Sequence, residues 1–160
     1  MAPKVGCAIC RLLQDKEFRI TETSFWDVRL ASQQMRPARC MTILKRHAAT
    51  EIGLFESKWL ELRQLRQRLH PAILRAYQAT HLNTFILMNG AWRDGDASAA
   101  IQAHVHYWDV PRYARPFTIG AVGFDDPAYP LVNADELSPS IPHIPAEIRN
   151  QIIRVIQSIL

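Results

Sequence analysis

No apolar stretch in the 160-residue chain approaches the eighteen or more residues that suggest a membrane-spanning helix, and the opening Met-Ala-Pro-Lys-Val-Gly-Cys lacks the apolar centre of a secretory signal. The chain is expected to be cytoplasmic, with no membrane partner. Cysteine is scarce: Cys7, Cys10 and Cys40 cannot supply a disulfide framework, and a chain of this length buries enough surface to need none. Charge of one sign is also missing. The 19 basic and 15 acidic residues leave +4, spread along the chain, so a nucleic-acid partner is not indicated. With 48% hydrophobic and 21% charged residues, the composition excludes a disordered, collagen-like or coiled-coil chain, and no internal repeat is present. A single globular domain over 1–160 is the expectation.

Within that domain, the stretch from Val5 to Asp15 suggests a short helix or turn. Alternating residues predict two strands between Phe18 and Ser32 and a third over Arg39 to Leu44, after a turn around Pro37. Between Glu56 and Ala79, Trp59, Leu62, Leu65, Leu69, Ile73 and Tyr77 advance by three or four, the spacing of one helix face, with a kink or break expected at Pro71. The arginines on this helix read as a solvated face. The run Asn83 to Asn89 predicts a buried strand, and a further strand from Ile101 to Val110 is expected to end at Pro111. Phe117 to Phe124 is ambiguous between structures, and Ala146 to Leu160 predicts an amphipathic helix through Ile148, Ile152, Val155, Ile156 and Ile159. Strands in runs around one dominant helix favour an α+β domain.

The Cys7/Cys10 pair forms C-x-x-C, which in a reducing compartment points to metal or redox chemistry more than to a disulfide. His104 and His106, one residue apart in an expected strand, leave the same face, with Trp108 and Val110 following there. Strand histidines also serve as simple hydrogen-bonding groups at a core edge, so the pair alone decides nothing. Cys7, Cys10, His47 and His104 together offer two thiolates and two imidazoles, a tetrahedral set that suits a closed, structural zinc site. The bland alternative makes the cysteines small core residues and His47 a solvated strand end. A redox protein is the weaker alternative, because the thioredoxin-like βαβ context is missing.

The segment His104-Val105-His106-Tyr107-Trp108-Asp109-Val110, continued by Pro111-Arg112-Tyr113, resembles the His-φ-His-φ-His-φ-φ strand of the histidine triad (HIT) superfamily of nucleotide hydrolases and transferases. Cys7-Ala8-Ile9-Cys10, the strand end Ile43-Leu44-Lys45-Arg46-His47, the long helix and Met88-Asn89-Gly90 fall in that family's order, so the resemblance covers about residues 5–125, with the final helix in a C-terminal extension. It implies an antiparallel sheet of about five strands and a homodimer. It also implies that His106 is the nucleophile, forming a covalent nucleotidyl-histidine at the α-phosphate of a dinucleoside polyphosphate, nucleoside phosphoramidate or nucleotide sugar. In zinc-bearing members the position of His104 ligates the metal with the cysteine pair and the earlier histidine, and that of Asn89 lines the nucleotide site.

Two departures from the pattern bear on this expectation. Trp108 stands where the family has its third histidine, and an indole N–H can donate a hydrogen bond but cannot deliver a proton as an acid. Transfer gains weight from it, because the related uridylyltransferases also lack that histidine. Ala100 and Ile101 stand where the family often has Gln and Ser or Thr against phosphate, leaving Ser98 and Gln102 as nearby substitutes for contacting substrate beside Asn89 and Trp108. The alternative reading is a zinc-stabilised nucleotide-binding module with little or no turnover.

Overall fold

Alternating side chains in the first third of the chain produce three antiparallel strands: β1 (Arg19–Glu22), β2 (Trp26–Leu30) and β3 (Cys40–Leu44), preceded by a one-turn helix α1 (Ala8–Leu12). The computed structural model describes residues 4–87, 103–131 and 144–160. The long helix α2 (Glu56–Ala76) leads into β4 (His81–Ile86), and β5 (His106–Arg112) carries the histidine motif. These five strands form one antiparallel sheet in the order β1-β2-β3-β5-β4. A small hairpin, β6 (Phe117–Ile119) and β7 (Val122–Phe124), and a last helix α3 (Ala146–Ile159) complete the α+β architecture. Among the described residues no helix is long and apolar enough to cross a membrane.

Cross-strand register assigns each face its task. Val28, Thr42, Tyr107 and Ile86 stand in one row, and Leu30, Cys40, Asp109 and Thr84 in the next. Val28, Leu30, Cys40 and Tyr107 enter the core with Leu62, Leu65, Leu69 and Ile73 of α2, so this is the face the helix covers. Ile148, Ile152, Ile153 and Ile156 of α3 join the same core, and Gln157 Nε2 donates to the Ile20 carbonyl at 2.9 Å. Gly120, at φ +57, turns the β6–β7 hairpin where an added Cβ would come within 3.1 Å of Ile148 Cδ1.

Several expectations need correction. α2 runs unbroken through Pro71, whose exposed ring leaves the freed carbonyl on the solvent side while Leu69, Ala72 and Ile73 hold the helix to the core. Trp59 is 38% exposed, and the buried position beside it belongs to Lys58. β4 is a half-buried edge strand rather than a buried one, because it has β5 on one side only. β5 continues through Pro111, which pairs with Leu82. Pairing with β3 ends at Asp109, so the missing donor falls where β5 has a single neighbour. The ambiguous segment 117–124 is the β6–β7 hairpin. On α3 Ile153 is buried, whereas Val155 is only partly so.

Arg63, Arg68 and Arg75 are exposed as expected of a solvated face, whereas Arg66 and His70 on the same helix turn inward. The Arg66 guanidinium lies 4.3 Å from the Tyr107 ring centre, and His70 Nε2 lies 3.0 Å from Asp109, a buried carboxylate that also accepts from Thr42 and Thr84. Both helix residues reach over the sheet because they flank the α2 stripe that packs on it.

Asp126, which follows the hairpin, fixes this tail to the end of the sheet. Its buried carboxylate accepts from Arg112 Nε at 2.6 Å, from Arg36 Nη2 at 3.0 Å and from the Tyr113 amide at 3.3 Å. Burial alone would raise its pKa, but the two arginines outweigh that and hold it down to about 2. Because the folded value lies below the unfolded one, this stabilisation is present above about pH 4 and is lost as pH falls toward 2. Asp126→Asn removes the buried carboxylate charge that both guanidinium groups share, so urea unfolding at pH 7 should show a loss of about 3 to 5 kcal/mol. A loss below about 1 kcal/mol would show the cluster to be dispensable.

Candidate metal centre and active site

The N-terminal C-x-x-C closes on the histidine strand. Cys7 is the N-cap of α1, its Sγ accepting from the Cys10 amide at 3.4 Å, so the first turn of this short helix directs both sulfurs to one side. Cys7 Sγ lies 3.5 Å and Cys10 Sγ 3.4 Å from His104 Nδ1, and Cys10 Sγ lies 3.5 Å from His47 Nδ1. The four ligand atoms all fall within 4.8 Å of one another. Around a zinc ion with bonds of about 2.0 to 2.3 Å, tetrahedral geometry separates neighbouring ligand atoms by roughly 3.5 Å, so the spacing fits.

Protonation supports the same conclusion. His104 Nε2 sits 2.6 Å from the Leu44 carbonyl, to which it donates, and this leaves the Nδ1 lone pair directed at the sulfurs. Burial, with smaller contributions from His47 and His106, lowers the His104 pKa to about 4, so the imidazole is neutral as a ligand must be. Burial pushes the Cys10 thiol up, a shift that a divalent cation between the sulfurs would reverse. The sequence-predicted quartet is therefore assembled and fits a metal ion.

His106 lies on the opposite sheet face from the core. Asp27, Ile43 and His106 form one row there, and Arg29, Met41, Trp108 and Phe85 the next. His106 Nδ1 donates to the His104 carbonyl at 2.7 Å, which fixes the tautomer and leaves Nε2 with a free lone pair. Burial lowers the His106 pKa despite that carbonyl, so the ring is neutral near pH 7. The Trp108 ring meets His106 edge-on at 6.1 Å, and the Arg39 guanidinium covers it at 4.3 Å from the ring centre. Thus the residue replacing the third histidine is clamped between an imidazole and a cation.

Asn89, Ser98 and Gln102 fall in 88–102, outside the described residues, and so do Ala100 and Ile101. Sequence reasoning missed Arg39. It also missed the buried charge cluster in which Asp27 pairs with Arg29 at 2.6 Å and with Arg19 at 2.6 Å, in the row of the candidate nucleophile. The available signal was β2 itself, Trp-Asp-Val-Arg-Leu, where charged residues alternate in a strand buried on both faces.

No protein-family model matches the chain, and no curated protein matches it in sequence. Solved structures do match. A histidine triad protein from Sinorhizobium meliloti superposes with a TM-score of 0.68 at 16% identity, over 94% of this chain and 93% of that one. A zinc-bound histidine triad family protein from Mycobacterium smegmatis gives 0.57 at 19% identity, over 96% and 94%. A uridylyltransferase gives 0.59 at 14% identity, over 96% of this chain and 46% of that longer one. Strand order, the position of the motif strand and these superpositions agree: the chain has the histidine triad fold.

Proposed function

We propose that the protein is a nucleotide hydrolase or nucleotidyltransferase that acts at the α-phosphate of a nucleotide conjugate through His106, with a structural zinc held by Cys7, Cys10, His47 and His104. The observation that carries this reading is the tautomer of His106: with Nδ1–H committed to the His104 carbonyl, Nε2 carries the lone pair of a neutral ring. Attack of Nε2 on the α-phosphorus forms a P–N bond as the bond to the leaving group breaks. Water or an acceptor oxygen then attacks phosphorus and the imidazole leaves, so one displacement becomes two easier ones. Zinc would tie the N-terminal segment to the strand that presents the nucleophile.

The same reading gives Trp108 a testable consequence. A neutral indole cannot protonate a departing oxygen, and a positioned general acid is worth roughly 10² to 10⁴ in rate for a poor leaving group. Pyrophosphate or a sugar phosphate should therefore leave much faster than an amine or simple alcohol from the same nucleotide, and Trp108→His should narrow the gap. A rate independent of leaving-group pKa would show that another residue supplies the proton. The clamp of Arg39 on Trp108 favours the second reading, a zinc-stabilised module that binds a nucleotide and turns it over little. Failure of every substrate in that series, with nucleotide binding retained, would select it.

Dimerisation and a cytoplasmic setting belong to the proposal. β4 is an edge strand, and Trp59 on α2 is 38% exposed, which leaves an apolar surface for a second copy of the chain. Light scattering at micromolar concentration should give twice the chain mass, and the mass of one chain would remove this element.

A further inference from the structure

A cavity of about 920 Å³ lies between the N-terminal segment, the ends of β1 to β3 and the start of α2. It touches the outer side of the metal cluster at Cys10 and His47, but neither His106 nor Trp108 lines it. Its walls are unusual in charge. Arg19 and Lys45 are neutralised by Asp27 and Glu22, whereas Arg46 and Lys58 have no acidic partner among the described residues.

Lys58 is the telling group. It is 5% exposed, occupies a core-side position on α2, and has no hydrogen-bond acceptor for its ammonium among the described residues. Its Nζ lies 5.3 Å from the centre of the Phe55 ring and 5.8 Å from that of Phe25, both cavity walls. The stem is buried while the ammonium opens into the cavity, so an anion bound there would meet it with no protein carboxylate competing among the described residues. Burial and the charge of Arg46 already lower its pKa, two effects that a bound anion would oppose. The helix end adds to the field: Phe55, the N-cap of this 21-residue helix, provides no side-chain acceptor, so the positive end of α2 faces the same space.

We propose that this cavity is a second ligand site, one that takes a phosphate monoester with a flat apolar body, the phosphate meeting Lys58 and Arg46 and the body lying against Phe25 and Phe55. The two parts of the ligand follow from the two parts of the wall. A dianion satisfies the unpaired cations and the helix end, and the rings accept a planar group that bare phosphate lacks. The volume exceeds what phosphate alone would fill, and a ligand of this kind uses the rest.

The test is calorimetric titration of the full, zinc-loaded chain with phenyl phosphate, inorganic phosphate and phenol. Phenyl phosphate should bind at one site per chain, roughly tenfold tighter than inorganic phosphate, and phenol should not bind measurably. Lys58→Met, which keeps the aliphatic stem, should weaken phenyl phosphate at least ~tenfold while the melting temperature changes little, because the stem still packs and only the cavity-facing ammonium is lost. Arg46→Gln, at an exposed position, should weaken binding severalfold without touching the fold. His106→Ala should leave this binding unchanged, which separates the second site from the proposed catalytic one. Absence of phenyl phosphate binding, equal affinity for inorganic phosphate, full affinity in both Lys58→Met and Arg46→Gln, or loss of binding in His106→Ala would each overturn the proposal.

Discussion

His106→Ala is expected to lower turnover of any α-phosphate substrate by at least ~10³-fold, about 4 kcal/mol in barrier, while nucleotide affinity changes little. The size of the effect follows from what the ring supplies. Alanine removes the atom that would form the P–N bond, and among the described residues its strand neighbours on that face do not replace it: Ile43 beside it is apolar, and Trp108 has no free lone pair on nitrogen. The fold should survive. His106 is half-buried at the start of β5, and its one hydrogen bond is to the carbonyl of His104 rather than across the sheet. Circular dichroism and the melting temperature check that the loss is chemical. Turnover within about tenfold of the parent, only ~1.4 kcal/mol, would show that His106 is not the covalent centre.

Removing the metal should act on stability instead of on one step. Cys10→Ala is expected to lower bound zinc from near one equivalent per chain to a small fraction, and to lower the melting temperature by about 10 °C. Metal binding to a preformed cluster is folding free energy, and for a chain of this length each kcal/mol corresponds to roughly 2 to 4 °C. Cys10 is the residue to change because its sulfur lies within 3.5 Å of both histidines. Apart from the ion, the end of α1 is tied to the sheet by Arg29, which donates to the Leu13 carbonyl at 3.1 Å. Elemental analysis of protein purified without chelator, together with calorimetry of the variant, checks both halves. A metal-free parent of unchanged stability would contradict the assignment.

Local signals made the site legible where chemistry forces residue type. A C-x-x-C, a histidine after a strand and a strand histidine pair name four candidate ligands and a candidate nucleophile because few other residues bind zinc or attack phosphorus. The structure brings the four ligands within 4.8 Å of one another although Cys7 and His104 are 97 positions apart. What sequence could not show was pairing. Arg39 reads as the start of the third strand, and only the alignment of β3 with β5 lays it on Trp108; likewise nothing in the sequence pairs His70 with Asp109 until α2 crosses the sheet. Lys58 illustrates the opposite error: a helical stripe read by hydrophobicity selects Trp59, yet the core side at that turn holds the lysine, whose stem can lie along apolar surface.

The most direct test of the central claim is trapping of the intermediate. The full chain is incubated briefly with a nucleotide conjugate labelled at the α-phosphate, quenched at alkaline pH, where a phosphorus–nitrogen bond to histidine persists and acid would cleave it, and mapped by mass spectrometry. The account predicts one nucleotidyl group per chain on His106, absent from His106→Ala and released by acid. Turnover without label on any histidine, or label on His104, His47 or an acidic residue in place of His106, would contradict it.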